Sequence, residues 1–304
     1  MKVADLPRPE LRDRLAGDGI AIDFGAACAR VRADVPGFDA AFAAVYGGFE
    51  AGNSDGFCDL TVRLRRARGL RRLVQPQVEL VVDGHTHFAP FPADTHLPLL
   101  EWGMNFLIAE RLGAHLLLHA GVVELGGRAL ILPAMPGSGK STLTAALATR
   151  GFRLLSDEFG VVRLDDACLL PMLRPVALKN ESIEVIARFA PGATIGPRFP
   201  KTRKGTVAHM APDAAALARH HEAASPAMVI FPRYDPSVRC AIEPERRSLA
   251  FSRLSVNAFN YEMLGPEAFE AVGRLVAACR AYRLAYADLD CAIETIRELL
   301  LRDD

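Results

Sequence analysis

The sequence has no surplus of charge of either sign. Lys and Arg together number 36, the same as Asp and Glu together. A protein that holds nucleic acid by its phosphates generally carries a basic surplus, because each contact neutralises a negative charge. The balance of charge therefore argues against nucleic acid as a partner, although the chain can still have local basic patches.

Paired cysteines and long apolar runs are also missing. The six cysteines form no C-x-x-C pair, and none lies beside a histidine at zinc-binding spacing, as is typical of reduced thiols in a cytosolic protein. Residues 1–15 are charged throughout and lack the apolar core of a signal sequence. No apolar run approaches the roughly 20 residues that cross a bilayer. We therefore expect a cytoplasmic protein without a membrane partner.

Two patterns of apolar residues divide the 304-residue chain. Residues 1–98 contain strand-like segments and one helical segment, 38–49, which predict a small α+β accessory or recognition domain. The proline-rich stretch 88–98 is typical of a linker. In residues 99–304 strands alternate with helices, which predicts an α/β catalytic domain.

A glycine-rich segment, 133-PAMPGSGKST-142, joins a buried strand to a helical stretch. Strand, loop and helix are the context that a phosphate-binding loop of the type G-x-x-x-x-G-K-[ST] requires. Ala134 replaces the first glycine, and we interpret it as tolerated because alanine is small and needs only ordinary backbone angles there. The residues predicted to bind nucleotide are Pro136, Gly137, Ser138, Gly139, Lys140, Ser141 and Thr142. The alternative is a glycine-rich turn with a chance lysine.

The chemistry of such a loop assigns roles to its residues. The glycines let backbone N–H groups turn towards phosphate oxygens, and the following helix adds the positive end of its dipole. Lys140 would reach the terminal phosphates, and the Ser141 hydroxyl would bind Mg²⁺. No guanine-reading N-K-x-D is present, so ATP is favoured over GTP.

An acidic pair, Asp157 and Glu158, ends the apolar segment 153–156. Phosphoryl transfer needs a carboxylate to bind metal or accept a proton, and we expect this strand to lie beside the strand that enters the loop. The alternative is a solvated strand end. His119 lies in the apolar segment 115–124, where a core histidine without a catalytic role is the alternative.

Three motifs occur in the order found in a known family. His119-Ala-Gly-Val-Val, the glycine loop and 150-RGFRLLSDE-158 resemble the HPr kinase/phosphorylase family. The segments 173-LRPVALKNESI-183 and 255-SVNAFNYEMLG-265 are similar to the HPr kinase-related "kinase A" proteins of bacterial gene clusters. The resemblance covers residues 100–290. It implies a P-loop kinase fold of the HPr kinase/phosphoenolpyruvate carboxykinase type, and ATP- and Mg²⁺-dependent transfer to a serine of a small protein or peptide.

The resemblance also implies roles for individual residues. The family's catalytic histidine falls on His119, and its proton-accepting aspartate falls on Asp157, with Lys140 completing the catalytic group. The family's second aspartate is Glu158 here, with Ser141 and Asp157 as further metal ligands. The loop continues G-K-S-T where the family has G-K-S-E, so reverse phosphorylase activity is not implied.

Further cations follow the acidic pair. Arg174 and Lys179 flank a short strand-like segment, and Lys204 belongs to the basic segment 199–209. We predict that all three bind the triphosphate or the acceptor, with 199–209 as a mobile lid. The alternatives are charges at a strand edge and a solvated loop.

Several other polar groups have structural interpretations. The arginine-rich run 63–72 is typical of a solvated hairpin, and Asn257 and Asn260 of packing near the site. His85 and His87 have the spacing of two metal ligands but lack a third. Residues 220–222, His-His-Glu, are predicted to lie on a helix surface.

The acceptor is left open by the residues. A protein, a peptide or a small molecule with a hydroxyl group would each fit, so a small-molecule kinase is one alternative. A nucleotide-dependent switch or scaffold that hydrolyses ATP slowly is another. A catalytically dead assembly protein is disfavoured by the intact Gly139-Lys140-Ser141 and by Asp157. Homo-oligomer formation is also left open.

Overall fold

The computed structural model describes residues 1–52, 56–69, 74–133 and 137–302, which form a mixed α/β fold with three sheets. The α-helices of the described residues are α1 (Arg8–Ala16), α2 (Phe38–Tyr46), α3 (His96–Arg111), α4 (Lys140–Ala148), α5 (Glu181–Phe189), α6 (Ala214–Ala218), α7 (Arg247–Val256), α8 (Tyr261–Leu264), α9 (Pro266–Ala278) and α10 (Leu289–Leu301). The strands are β1 (Ile20–Asp23), β2 (Cys28–Asp34), β3 (Leu60–Arg66), β4 (Gln77–Val82), β5 (His85–Thr86), β6 (Phe91–Pro92), β7 (Leu116–Leu125), β8 (Arg128–Pro133), β9 (Arg153–Ser156), β10 (Phe159–Val162), β11 (Leu169–Leu170), β12 (Val176–Lys179), β13 (Phe199–Thr202), β14 (Gly205–Met210), β15 (Ser225–Tyr234), β16 (Cys240–Pro244) and β17 (Arg280–Tyr286).

The first sheet is built from residues 20–92. Its strands follow the order β1-β2-β3-β4-β5, with β6 also paired to β4, and only β2 and β3 run parallel. On β3, Leu60, Val62 and Leu64 are buried while the residues between them are more exposed, which is the alternation of a half-buried strand. Helix α3 packs against β3 and β4 and covers this apolar face.

The stretch 88–98 is not the linker that its prolines predict. It contributes β6 to the first sheet and then continues through a 3₁₀ turn, Ala93–Thr95, into α3. The rings of Phe88 and Phe91 lie 4.4 and 5.5 Å from the ring of Trp102. Aromatic packing therefore holds this stretch against α3, an effect that proline spacing does not reveal.

The second sheet has eight strands in the order β11-β10-β7-β8-β15-β17-β16, with β9 paired to β7. Strands β8, β15 and β17 run parallel to one another. Alternate residues of β7 enter different apolar clusters, with Leu117 and Val123 in one and Leu118 and Val122 in the other. Helices α4 and α10 pack on one face, and α7 and α9 belong to the cluster on the other. A sheet covered on both faces explains the near-continuous apolar strands.

The strand that ends at the acidic pair lies one position further from the loop than the sequence predicts. Strand β9 pairs with β7 and not with β8, because β7 occupies the place beside the strand that enters the loop. Both β9 and β10 pair along the same edge of β7, with Ser156 opposite Val122 and Phe159 opposite His119. The acidic link between β9 and β10 therefore lies near His119.

The third sheet, in the order β12-β14-β13, corrects the interpretation of 199–209 as a loop. That segment forms the hairpin β13–β14, and it has anchors. Phe199 is buried, the Lys201 ammonium group lies 3.1 Å from the Asp94 carboxylate, and the Arg203 guanidinium lies 5.2 Å from the Phe91 ring centre. These contacts tie the hairpin to the segment that leads into α3.

One apolar cluster includes residues on both sides of residue 98, among them Phe24, Leu80, Leu132 and Ile230. The division into domains at residues 1–98 and 99–304 stays a prediction. Among the residues that the structure describes, no helix combines the length and the apolar character needed to cross a membrane.

Candidate functional site

The glycine loop leads directly into helix α4. Strand β8 ends at Pro133, and Gly139 precedes the first helical residue, Lys140. Gly137 and Gly139 have φ angles of 86° and 87°, in the left-handed region that glycine adopts at little cost. The predictions for Ala134 and Pro136 lie outside the described residues.

Two tyrosines from neighbouring strands hold the loop. The Tyr234 amide donates a 2.9 Å hydrogen bond to the Ser138 carbonyl oxygen, and the Tyr286 hydroxyl donates a 3.0 Å bond to the Gly139 carbonyl oxygen. No described peptide bond is cis, and in a planar trans peptide the N–H points away from the carbonyl that precedes it. The N–H groups of Gly139 and Lys140 therefore point away from the tyrosines, as phosphate binding requires. Sequence reasoning did not identify either tyrosine as part of the site.

Lys140 joins the loop to the acidic pair. Its ammonium group donates a hydrogen bond to the Asp157 backbone carbonyl and lies 3.5 Å from the Asp157 carboxylate. The side chains are 8% and 5% exposed, so water screens this ion pair weakly. The structure thus brings together two residues that the sequence assigns to one site.

Hydroxyl groups surround the start of α4. Ser141 and Thr142 lie in its first turn and are partly buried. The Ser138 hydroxyl is buried and has no hydrogen-bond partner among the described residues. A buried polar atom without a partner carries a free-energy cost, which a phosphate oxygen or a water molecule would remove. These groups fit the predicted phosphate and Mg²⁺ contacts.

His119 lies beside Glu158, with 3.6 Å between its Nε2 atom and the nearer carboxylate oxygen. Its backbone N–H donates a 2.7 Å hydrogen bond to the Asn257 carbonyl, and the Phe259 ring lies 5.4 Å from the imidazole. Burial and then the charge of Lys140 lower the pKa of His119 below 6.5. The imidazole is therefore mainly neutral at pH 7 and can accept a proton.

Opposing charges set the ionisation of Glu158. Burial acts to raise the pKa of this carboxyl, but Lys140, His119 and Lys179 outweigh burial and lower it. Burial and the nearby Lys204 lower the pKa of Lys179 in turn. Neither Lys179 nor Lys204 forms an ion pair with a carboxylate of the described residues. The site therefore combines an ionised carboxylate with cations that remain able to bind an anion.

Arg174 already has partners for much of its guanidinium group. It lies 2.5 Å from the Glu101 carboxylate and 2.6 Å from the Asn105 side-chain oxygen, and Tyr46 donates a hydrogen bond to the same Glu101. Burial opposes the charged form, but Glu101 outweighs it and raises the pKa of Arg174. The geometry makes Arg174 a link between α3 and the site, while its predicted contact with phosphate stays a prediction.

A cavity of about 290 Å³ opens beside Glu158. One wall is aromatic, from Phe91 and Trp102, and the cations are Lys179, Arg203 and Lys204. The hairpin β13–β14 and helix α3 form its sides, so the basic segment 199–209 does lie next to the predicted site.

A second cavity, of about 720 Å³, borders the glycine loop. It is lined by Pro133 and Ser138 from the loop, by Phe231 from β15 and by Arg253 from α7. The Arg253 guanidinium lies 5.0 Å from the Phe231 ring centre, so the cavity has a flat mixed apolar and cationic wall. Such a wall can stack against a planar base.

Two asparagines predicted to be structural have the expected kind of contact. The Asn260 side chain accepts a 3.0 Å hydrogen bond from the Leu117 amide and donates a 2.7 Å bond to the His115 carbonyl. Asn257 also affects the site, because its backbone carbonyl accepts a hydrogen bond from the His119 amide and so helps to position His119. His85 and His87, in contrast, are both exposed and lie in or beside the short strand β5.

Comparison with known proteins adds no relative to this geometry. No protein-family model matches the chain, and no curated protein matches it significantly. The function is therefore inferred from the residues of the site.

Proposed function

We propose that this protein is an ATP- and Mg²⁺-dependent kinase that transfers the γ-phosphoryl group to a hydroxyl group. We further propose a P-loop kinase fold of the HPr kinase/phosphoenolpyruvate carboxykinase type. The observation that carries the proposal is the contact of Lys140, at the end of the glycine loop, with both the carbonyl and the carboxylate of Asp157. It joins a group suited to phosphate with a group suited to accepting a proton, within a site that excludes most water.

Different residues of the site would bind the phosphates and the metal ion. The N–H groups of Gly139 and Lys140, together with the Lys140 ammonium group, would hold the phosphates. Ser141 and the carboxylates of Asp157 and Glu158 supply the oxygen donors that Mg²⁺ prefers. Bound there, Mg²⁺ would neutralise the charge of the phosphates.

Asp157 would act as the proton acceptor for the hydroxyl group. Lys140 contacts its oxygen atoms, and phosphate oxygens would compete for the same ammonium group. Engagement of Lys140 by phosphate would then leave the carboxylate free to accept a proton. His119, mainly neutral and close to Glu158, would adjust the charge of the acidic pair.

The resemblance to HPr kinases favours a serine of a small protein or peptide as the acceptor. One observation favours a small molecule instead. The cavity beside Glu158 is of small-ligand size, at about 290 Å³, and combines an aromatic wall with three cations. A small hydroxyl compound with an anionic group would fit this chemistry.

Replacement of Lys140 tests the proposal. Bound nucleotide raises stability by RT ln(1 + [L]/Kd), about 2.7 kcal/mol at a hundredfold excess over Kd. The wild type should therefore melt at a higher temperature with ATP and Mg²⁺. Lys140→Met, which keeps the aliphatic stem, should lose this increase, while the control Lys2→Met, at an exposed lysine outside the predicted site, should keep it. An unchanged increase in Lys140→Met would refute nucleotide binding by the loop.

The acceptor is tested with γ-labelled ATP and a lysate separated by molecular mass. Label in the protein or peptide fraction supports the leading acceptor, and label in the small-molecule fraction supports the second. Label found only in inorganic phosphate would contradict a kinase and favour the nucleotide-dependent switch.

A further inference from the structure

Three side chains with atoms that can ligate a metal lie close together, and none of them belongs to the glycine loop. Asp23 ends strand β1, and His220 and His221 lie in the turn after helix α6, not on the helix surface that the sequence predicts. Helix α6 ends at Ala218. One ligand atom from each of the three side chains lies within 4.8 Å of the other two.

The distances suit one metal ion. Asp23 Oδ2 lies 3.2 Å from His221 Nε2 and 3.9 Å from His220 Nε2. Two ligands of a tetrahedral zinc ion, each bound at 2.0–2.1 Å, are about 3.3 Å apart. The observed distances lie near this value, so small side-chain rotations would complete the geometry.

Both kinds of ligand are oriented by a second contact. His220 Nδ1 lies 2.6 Å from the Leu217 carbonyl oxygen, which places the proton on Nδ1 and leaves Nε2 free to bind metal. Asp23 Oδ1 accepts a 2.8 Å hydrogen bond from the Gly25 amide, and Oδ2 is the atom that faces the histidines. Metal-binding histidines and carboxylates generally have such outer contacts.

The backbone around the cluster is also fixed. The carbonyls of Arg219 and Glu222 each accept a 2.9 Å hydrogen bond from the buried Arg153. Gly25 has a φ angle of 101°, and a side chain there would collide with the backbone oxygens of Pro171 and His220. The close approach of these segments brings the histidines to Asp23.

The geometry points to a binding site for a zinc-like divalent transition metal, formed by Asp23, His220 and His221. Two imidazoles and one carboxylate are donors that zinc accepts, and water would complete its coordination. His221 is 63% exposed, so the ion can enter from solvent. The site would join β1 of the first sheet to the turn that precedes β15.

The consequence would reach the segment 171–173, which leads to Arg174. Next to Asp23, the Phe24 carbonyl accepts a 2.8 Å hydrogen bond from the Leu173 amide, and the Ala26 amide donates a 2.8 Å bond to the Pro171 carbonyl. A metal that fixes Asp23 should hold these two bonds closed. The inference does not depend on the proposed kinase activity.

Zinc titration of the full chain, without nucleotide, tests the site. Calorimetry should give one ion per chain, and Co²⁺ should give the visible absorption of a tetrahedral complex. Loss of an outer contact typically lowers the affinity for a metal about 10–100-fold. Loss of a ligand in Asp23→Asn or His221→Gln should therefore lower the affinity for zinc at least as much. Zinc should also slow hydrogen exchange at the Leu173 and Ala26 amides in the wild type, but not in Asp23→Asn or His221→Gln.

Two control variants separate this site from other histidines. His85→Gln removes an exposed histidine of the H-x-H pair, and His119→Gln removes the histidine beside Glu158. Both should bind zinc like the wild type. The proposal is overturned if zinc binding is unaffected by Asp23→Asn and His221→Gln, or if it is lost in either control. Absence of saturable one-to-one binding overturns it as well.

Discussion

The strand pair β7 and β9 carries a charged cluster at each end, and the two clusters differ in how completely their charges are paired. At one end Glu124 on β7 faces Arg153 on β9. At the other, His119 of β7 lies near Asp157 and Glu158, which follow β9. The same two strands thus support an ion pair whose charges match and a site whose charges remain available.

The matched end is closed by hydrogen bonds. The Arg153 Nε atom lies 2.5 Å from the Glu124 carboxylate, and its Nη1 atom donates to two backbone carbonyls. The other Glu124 oxygen accepts a bond from the Gly127 amide. Both side chains are at most 5% exposed, so this cluster is part of the core.

The other end differs in its neighbours. Lys140 is shared between the loop and Asp157, and Lys179 and Lys204 line a cavity without an ion pair among the described residues. Buried charges that are paired with each other are a structural feature, whereas cations beside a cavity are able to bind a ligand. Under the proposed function, the end with the available cations is the one that binds ligand.

The largest effect should come from Asp157→Asn. Asparagine keeps the shape but does not accept a proton, and loss of such a group typically lowers a rate about 10²–10⁴-fold. Nucleotide binding should survive, since the loop amides and Lys140 remain. The measurement is label transfer from γ-labelled ATP, together with nucleotide-dependent melting.

The control for this change is Asp290→Asn, at a carboxylate that is 65% exposed, and it should keep the wild-type rate. Transfer at the wild-type rate in Asp157→Asn would contradict the assigned role. Weaker nucleotide binding, partly restored by extra Mg²⁺, would instead make Asp157 chiefly a metal ligand.

At the matched end, Arg153→Met should destabilise the protein without removing nucleotide binding. It leaves Glu124 buried without its main partner, a loss that typically costs about 3–5 kcal/mol. Urea unfolding would measure the change. Arg163→Met, which breaks an exposed pair with Asp166, should have little effect. The comparison fails if Arg153→Met leaves the unfolding midpoint where it is.

A smaller effect should appear with pH. Burial lowers the pKa of His209 and of His119 below 6.5, so the unfolded chain binds protons more readily than the folded protein. The stability that these histidines contribute is present above pH 6.5 and is lost as pH falls from there towards the lowered values. The free energy of unfolding, measured in urea, should therefore decrease between pH 7.5 and 5.5.

His209→Gln should make this decrease shallower, because it removes one buried titrating group. His87→Gln, at an exposed histidine, is the matched control. An equally steep decrease in His209→Gln would show that other groups govern the acid sensitivity.

The features that sequence predicts well here are local. The strand, glycine loop and helix around residues 128–148 follow one another in the chain, and the acidic pair directly ends a short apolar strand. Apolar spacing and glycine positions carry this information. The mixed α/β fold is predicted by the same alternation.

The features that sequence reasoning missed depend on distant contacts. Strand β9 does not lie beside β8, because β7 occupies that position and pairs with β8. Tyr234 and Tyr286 contact the loop from strands that lie about a hundred residues or more further along the chain. Glu101 pairs with Arg174 from a helix 73 residues earlier. No local pattern specifies such partners, because hydrogen bonding and burial are decided only after the sheets assemble.

The hydrogen bond from the Tyr286 hydroxyl determines when, during synthesis of the chain, the glycine loop gains its full support. It holds the Gly139 carbonyl from β17, the last of the described strands, which lies between β15 and β16 in the sheet. A nascent chain that has not yet released residues 280–286 from the ribosome lacks both this support and the strand that carries it. Under the proposed function, we therefore expect nucleotide binding to arise late in synthesis, after β17 has joined the sheet.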